Sequence, residues 1–355
     1  MVRRVVFAVP GDLDTPTGGY AYDKRIIEEL RKLGWEVDIL DLGSGFPRPD
    51  ATARRTANDL LAKRDPAIPV VIDGLAYGVL PEAGQALGKS LALIALVHHP
   101  LAFESGLPPE DARRLHDSEC EALRHVRHVI VTSPSTARLL VSDYHIAMDR
   151  ITVAKPGNDP VPPSRGSGEA ALHLLAVGSV VPRKGYDVLV AALSELKDLS
   201  WRLSIVGDPS RDPACSEALD RDIARFDLGS RIERLGAVSQ RTLAALYGRT
   251  DLFVLPSRFE GYGMAFADAI AFGVPVIAAR SGAIPETIPA QASILVPPDD
   301  IAALASVLRR LIENQAEREE LRAQARAAAR ALPSWRESAD IVARAIGMSA
   351  NGMPA

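Results

Sequence analysis

L-F-V-L-P-S-R-F-E-G-Y-G-M, Leu252–Met264, runs from a short apolar segment through a proline–serine turn and two glycines into a second apolar segment, A-F-A-D-A-I-A-F-G, that closes at Gly273. A four-residue apolar run stopped by proline has the length of a buried strand, and the longer run after the glycines has the length and spacing of a helix. The unit is therefore strand, glycine turn, helix. It recurs: Val5–Val9, Val37–Leu40, Val70–Ile72, Leu91–Val97 and Val129–Thr132 read as strands, with amphipathic helices such as Tyr20–Leu33 and Glu110–His125 among them. This alternation predicts a parallel sheet covered by helices on both faces.

The proline- and glycine-rich stretch P-G-N-D-P-V-P-P-S-R-G-S-G, Pro156–Gly168, interrupts the series and reads as an interdomain linker with almost nothing to bury. The pattern then restarts, with strands at Leu172–Val177, Leu203–Val206, Leu252–Leu255, Val276–Ala278 and Ser293–Val296 and helices opening near Gly185, Pro213, Ser239 and Gly263. Two long helices follow, Asp300–Asn314 and Ala316–Leu332, then a final one after P-S-W-R-E-S-A-D. The expected class is α/β: two doubly wound, Rossmann-like domains facing across a cleft, residues 1–160 and 161–335, with 336–355 returning to the first domain. Ligands of such sheets bind at the carboxyl ends of the strands.

Composition bounds the function. The 355 residues are 47% hydrophobic with a formal net charge of −4, and no Lys/Arg run exceeds two residues. A nucleic-acid partner and a polybasic membrane tether are not indicated, although a weak membrane-surface contact stays open. The two cysteines, Cys120 and Cys215, lie far apart in helical patterns and suggest neither a disulfide framework nor a thiolate metal site. M-V-R-R-V-V-F-A-V-P reads as a first buried strand rather than a signal peptide, no apolar run is long enough to cross a membrane, and a cytoplasmic location is expected.

Four loops at strand ends carry chemistry. T-P-T-G-G-Y, Thr15–Tyr20, brings Gly18 and Gly19 to a helix start, where backbone amides can approach an anion. V-H-H-P-L ends a strand in His98 and His99; adjacent side chains there point in opposite directions, and with no nearby carboxylate except Glu104 a metal site is not expected. V-G-S-V-V-P-R-K-G, Val177–Gly185, offers Arg183 as a fork of donors and Lys184 as a point charge, both suited to phosphate oxygens. The opening stretch places Gly261, Tyr262, Gly263 and Met264 where helix-start amides could face a diphosphate, with carboxylates at Glu260 and Asp268.

Taken together, V-G-S-V-V-P-R-K-G-Y-D, I-V-G-D, L-F-V-L-P-S-R-F-E-G-Y-G-M and A-F-G-V-P-V-I-A closely resemble the retaining nucleotide-sugar glycosyltransferases of family four, which adopt the B-type glycosyltransferase (GT-B) fold. The resemblance spans most of residues 170–335, with looser support from T-G-G and V-H-H-P. It implies a hexosyltransferase, EC class 2.4, moving a sugar from a nucleoside diphosphate to an acceptor hydroxyl, with no cofactor and no divalent metal. It also implies roles: Glu260 and His98 at the transferred sugar, Asp268 at the ribose, Arg183 and Lys184 at the diphosphate, Gly18 and Gly19 in a loop closing over the donor, and Gly236 and Val238 where backbone holds the base. His99 and Glu104, in or beside A-F-E-S-G-L-P-P, fall on the expected acceptor side. Breadth of use in the family puts uridine ahead of guanosine; the acceptor, whether small molecule, glycan or lipid head group, is left open. Ser179 stands where many relatives carry arginine, and Asp268 where glutamate is usual. Two alternatives are a hydrolysing nucleotide-sugar epimerase, which would need a further acid–base pair, and a non-catalytic nucleotide-sugar-binding module.

Overall fold

The structure, a computed structural model, describes residues 3–104 and 106–350. The first two residues of M-V-R-R, Ser105 and the last five residues of the expected 336–355 segment lie outside the described residues.

Internal contacts divide the chain into two compact units, one built from the residues up to Gly157 and from Pro333 onward, the other from Asn158–Leu332. The first unit holds six strands: β1 (Arg3–Val9), β2 (Trp35–Asp41), β3 (Val70–Asp73), β4 (Leu93–Val97), β5 (His128–Val131) and β6 (Ile151–Val153). They lie in the order β2-β1-β3-β4-β5-β6, and every pairing is parallel. The second unit holds β7 (Leu172–Val177), β8 (Trp201–Val206), β9 (Ile232–Gly236), β10 (Leu252–Leu255), β11 (Val276–Ala279) and β12 (Ser293–Val296). Their order is β12-β11-β10-β7-β8-β9, again all parallel.

Central strands of a parallel sheet are covered on both faces, so they read as continuous apolar runs. All of Val70–Asp73, Leu93–Val97 and Leu252–Leu255 is buried. Each such aliphatic or aromatic side chain contributes about 1.5–3 kcal/mol by leaving water. The expected α/β class with two doubly wound halves is what forms. Two strands escape the sequence pattern for identifiable reasons. β6 is a three-residue edge strand whose side chains are all half-buried. β9 reads I-E-R-L-G, and a bulge shifts its pairing between Ile205 and Val206 so that Val206 meets Gly236.

The two long helices span Ile301–Glu313 and Gln315–Ala329, and they separate at Asn314, whose side-chain oxygen accepts from the Glu317 amide at 3.1 Å. The final helix, Trp335–Ala350, packs against the first, Gly18–Lys32. Trp335 lies 5.9 Å from the Tyr22 ring, and the Tyr22 hydroxyl donates to Ala154 O at 2.9 Å. Gly157 passes so close that a side chain there would begin 2.1 Å from Trp335 N.

The expectation that Pro156–Gly168 buries almost nothing is corrected. Ser164 is fully buried; its hydroxyl donates to Thr250 O at 2.9 Å and its amide to Phe272 O at 2.6 Å. Proline and glycine counts conceal this, because the anchoring is done by one serine and the backbone.

Candidate active site

In the second unit the strand order reverses between β7 and β10, and the loops following those two strands carry Arg183, Lys184 and Glu260. A crevice of this kind, at the carboxyl ends of strands flanking a reversal, is where doubly wound sheets bind ligands. The two loops are joined through their backbones: Arg258 N donates to Arg183 O at 2.8 Å, and the Arg183 guanidinium returns a bond to Phe259 O at 3.0 Å. Gly185, at φ +67°, lets the turn cross Pro256, whose carbonyl oxygen would lie 2.3 Å from an added side chain.

Both cations converge on one carboxylate. Lys184 Nζ lies 2.7 Å from Glu260 Oε1 and Arg183 Nη1 3.3 Å from Oε2. Glu260 is 5% exposed. Burial pushes its carboxyl up, but Lys184 and Arg183 outweigh burial and hold it below the usual glutamate range. The backbone is held as well: Ala283 N donates to Glu260 O at 2.9 Å, and a side chain at Gly282 would begin 2.4 Å from the same oxygen. The acid expected at the transferred sugar is thus gripped by the two residues expected at the diphosphate, and the three carry a net charge of +1.

Gly261 and Tyr262 are buried. Tyr262 O accepts from Thr287 Oγ1 at 2.6 Å. Gly263, at φ +94°, precedes the helix Met264–Ala271, whose first turn no side chain caps. Asp268 lies half-buried within that helix, and Asn158 Nδ2 donates to it at 3.3 Å. Burial, reinforced by the negative charge of Asp159, pushes the Asp268 carboxyl up to about 7. Asn158 and Asp159 belong to the linker, and their nearness to Asp268 left no trace in the sequence pattern.

A shallow surface depression of about 490 Å³ lies at the end of the helix Ile301–Glu313, around Arg309, Arg310 and Asn314, and includes none of these groups. A second, of about 350 Å³, is lined by Val180, Gly207, Asp220, Arg234 and Gly236 among others and adjoins the β7 loop. Gly236 takes a left-handed conformation, φ +65°, and its carbonyl accepts from Gly207 N at 2.9 Å, while Val238 packs against the core. Ser179 is half-buried in the same loop.

In the first unit the order reverses between β1 and β3. Gly18 and Gly19 are the first residues of the helix Gly18–Lys32, capped by Thr17, rather than part of an open loop. Gly19 faces the His98 ring, whose Cδ2 would lie 3.1 Å from an added side chain. His99 turns away to Glu104, Nε2 to Oε2 at 3.1 Å. The expectation that no carboxylate other than Glu104 approaches the histidine pair is corrected: His98 Nε2 lies 3.0 Å from Asp23 Oδ1 and 3.8 Å from Asp73 Oδ2. Both aspartates are buried, and the three groups are close enough together to hold a cation. Burial and the charge of Asp23 push Asp73 up to about 8. For His98, burial favours the neutral ring, but Asp23 and Asp73 outweigh it and lift the imidazole above its usual value. Asp73 ends β3 just before a glycine, and Asp23 lies one helical turn beyond Gly19; those positions were the available signals.

Residues 171–314 match the Glycosyl transferases group 1 family. Among known proteins, an MMP α-(1→4)-mannosyltransferase of Mycolicibacterium hassiacum is 26% identical over 83% of this chain and 74% of its own length. A D-inositol 3-phosphate glycosyltransferase of an Arthrobacter species is 32% identical over 68% of this chain, which spans 62% of that relative. Among solved structures, sucrose-phosphate synthase from Thermosynechococcus elongatus superposes with a TM-score of 0.82 at 22% identity, over 96% of this chain and 98% of that one. HepE of Anabaena in complex with UDP-glucose does so with a TM-score of 0.79 at 16% identity, over 97% and 99%. At these identities the superpositions establish a common fold.

Proposed function

Because the chain is a glycosyltransferase of the GT-B fold with a group 1 domain over residues 171–314, we propose that it transfers a hexose from a nucleoside-diphosphate sugar to an acceptor hydroxyl, retaining configuration and requiring no divalent cation. The observation that carries this reading is the convergence of Arg183 and Lys184 on Glu260 in the loops after β7 and β10. Cleavage of the bond between anomeric carbon and phosphate builds negative charge on the departing diphosphate and positive charge on the sugar. Arg183, Lys184 and the amides leading into Met264–Ala271 stabilise the first, the task a metal ion performs elsewhere. Glu260 accepts hydrogen bonds from sugar hydroxyls and Asp268 from the ribose, while His98 meets the sugar. Gly236 and Val238 border the base, and His99 and Glu104 the acceptor.

The UDP-glucose bound to HepE supports a uridine donor, and the relatives' names support a mannosyl or other hexosyl group and a small polyhydroxylated acceptor. The test incubates the protein with a panel of nucleotide sugars and candidate acceptors, with and without chelator, and reads released nucleotide and the anomeric configuration of the product. Loss of transfer with chelator, restored by magnesium or manganese, would refute the metal-free account.

The carboxylate pair Asp23–Asp73 is a specific reason to keep the hydrolysing epimerase as a second reading, since that reaction needs a further acid–base pair. A donor isomerised in the absence of any acceptor would favour it; the family match weighs for transfer.

A further inference from the structure

Resting on the placement of His98 at the transferred sugar, we propose that Asp23 and Asp73 are positioning residues for His98: they fix the ring with Nε2–H donating into the carboxylate pair and leave Nδ1–H as the donor presented to substrate. The geometry comes from three elements. Asp23 lies on the helix Gly18–Lys32, Asp73 at the end of β3, and His98 just past β4. Nε2 sits 3.0 Å from Asp23 Oδ1 and 3.8 Å from Asp73 Oδ2. The ring and the backbone of His98 are both held. Tyr22 meets the ring edge-on, with centroids 5.4 Å apart, a side chain at Gly19 would begin 3.1 Å from its Cδ2, and Thr132 Oγ1 donates to His98 O at 3.1 Å.

Among the described residues no hydrogen bond is recorded for His98 Nδ1, and the side chain is 18% exposed, so that nitrogen is the one left for a ligand. Asp73 is engaged elsewhere too: its Oδ1 accepts from Leu75 N at 2.6 Å. Asp23 Oδ2 is buried, and a side-chain hydrogen bond between Asp23 and Asp73 contributes to raising the Asp73 carboxyl. A ring that holds its second proton beside a protonated Asp73 satisfies this arrangement, in keeping with an Asp73 carboxyl pushed up to about 8 and a His98 raised above its usual value. The groups facing His98 are thus Tyr22 and Asp23 from the first helix, Asp73 from β3 and the neutral Thr132 after β5. Tyr22, its phenol raised by burial, stays protonated.

Imidazole nitrogen and proton resonances of the full chain without substrate, assigned by comparison with His98→Asn, test the arrangement directly. His98 should titrate above the ordinary histidine value of 6.5 in the wild type, and in Asp23→Asn its titration should fall towards that value. An ordinary titration near pH 6.5 in the wild type overturns the proposal without any variant. So does an unchanged titration in a folded Asp23→Asn protein. Should that variant not fold, Asp73→Asn carries the comparison. Turnover separates this from the functional reading. Asp23→Asn should lower kcat roughly ten- to a hundredfold, with the loss growing as pH rises and donor KM little changed. A shifted titration with unchanged turnover leaves the positioning intact and removes His98 from the sugar.

Discussion

Replacing Glu260 by glutamine keeps the shape of the side chain and one acceptor oxygen while removing the charge that Lys184 and Arg183 share. The carboxylate side chain is 7% exposed, its partners 13% and 14%, so water screens the pair little. Deleting one partner of a buried ion pair costs about 3–5 kcal/mol; the retained amide oxygen brings the expectation to about 3 kcal/mol. For a unit of this size that lowers Tm by roughly 6–12 °C. The same substitution removes the negative charge that neutralises part of both cations. One charge-assisted hydrogen bond is worth about 1.5–3 kcal/mol, so nucleoside diphosphate should bind about tenfold tighter to Glu260→Gln even as turnover falls. Thermal melts with and without nucleoside diphosphate, beside calorimetric titration and turnover, read all three quantities. A variant with wild-type Tm and weaker diphosphate binding would refute the reasoning, since the cations would then depend on Glu260 for their placement.

Lys184→Ala should weaken diphosphate binding and lower turnover by roughly ten- to a hundredfold, with Tm falling less than in Glu260→Gln because Arg183 still meets the carboxylate; equal affinities in titration would exclude Lys184 from the diphosphate. The Asp268 carboxyl has a folded pKa of about 7 against an ordinary 3.8, so its folded form holds the proton more tightly and stability is lost as pH rises across that window. Asp268→Asn should therefore gain Tm relative to the wild type between pH 4 and 7 and hold that gain above pH 7; a difference that does not change with pH would contradict it. Gly157→Ala would place a carbon 2.1 Å from Trp335 N. It should destabilise the first unit by about 1–3 kcal/mol, read as a lowered melt.

Much of the fold was legible because its central strands are buried on both faces. Leu172–Val177 and Leu252–Leu255 form over the same residues the apolar runs mark, and so does the edge strand Ser293–Val296. Two of the four edge strands were not legible: β6 is short, and β9 carries Glu233 and Arg234 in its middle. In the candidate site, Arg183, Lys184 and Glu260 announced themselves by standing beside glycine turns, and the structure brings them into one ion-pair cluster. Their grip on each other was hidden, since spacing along a chain says nothing of which loops meet. Asp23 was hidden more deeply, for 75 residues separate it from His98 and its helix looks like any other amphipathic segment.

The contact between β7 and β8 bears on how this sequence can drift. A first carbon at Gly207 would fall 1.8 Å from Gly178 O, and one at Gly178 would meet the Lys184 stem at 2.9 Å. Neither glycine needs an unusual backbone angle, so both are held by crowding alone. Of the two, Gly178 is pressed by a flexible side chain and can be rescued by a change at 184, whereas Gly207 is pressed by main chain and no second substitution creates the space. Among descendants that lose Lys184, position 178 is therefore free to acquire a side chain and position 207 is not.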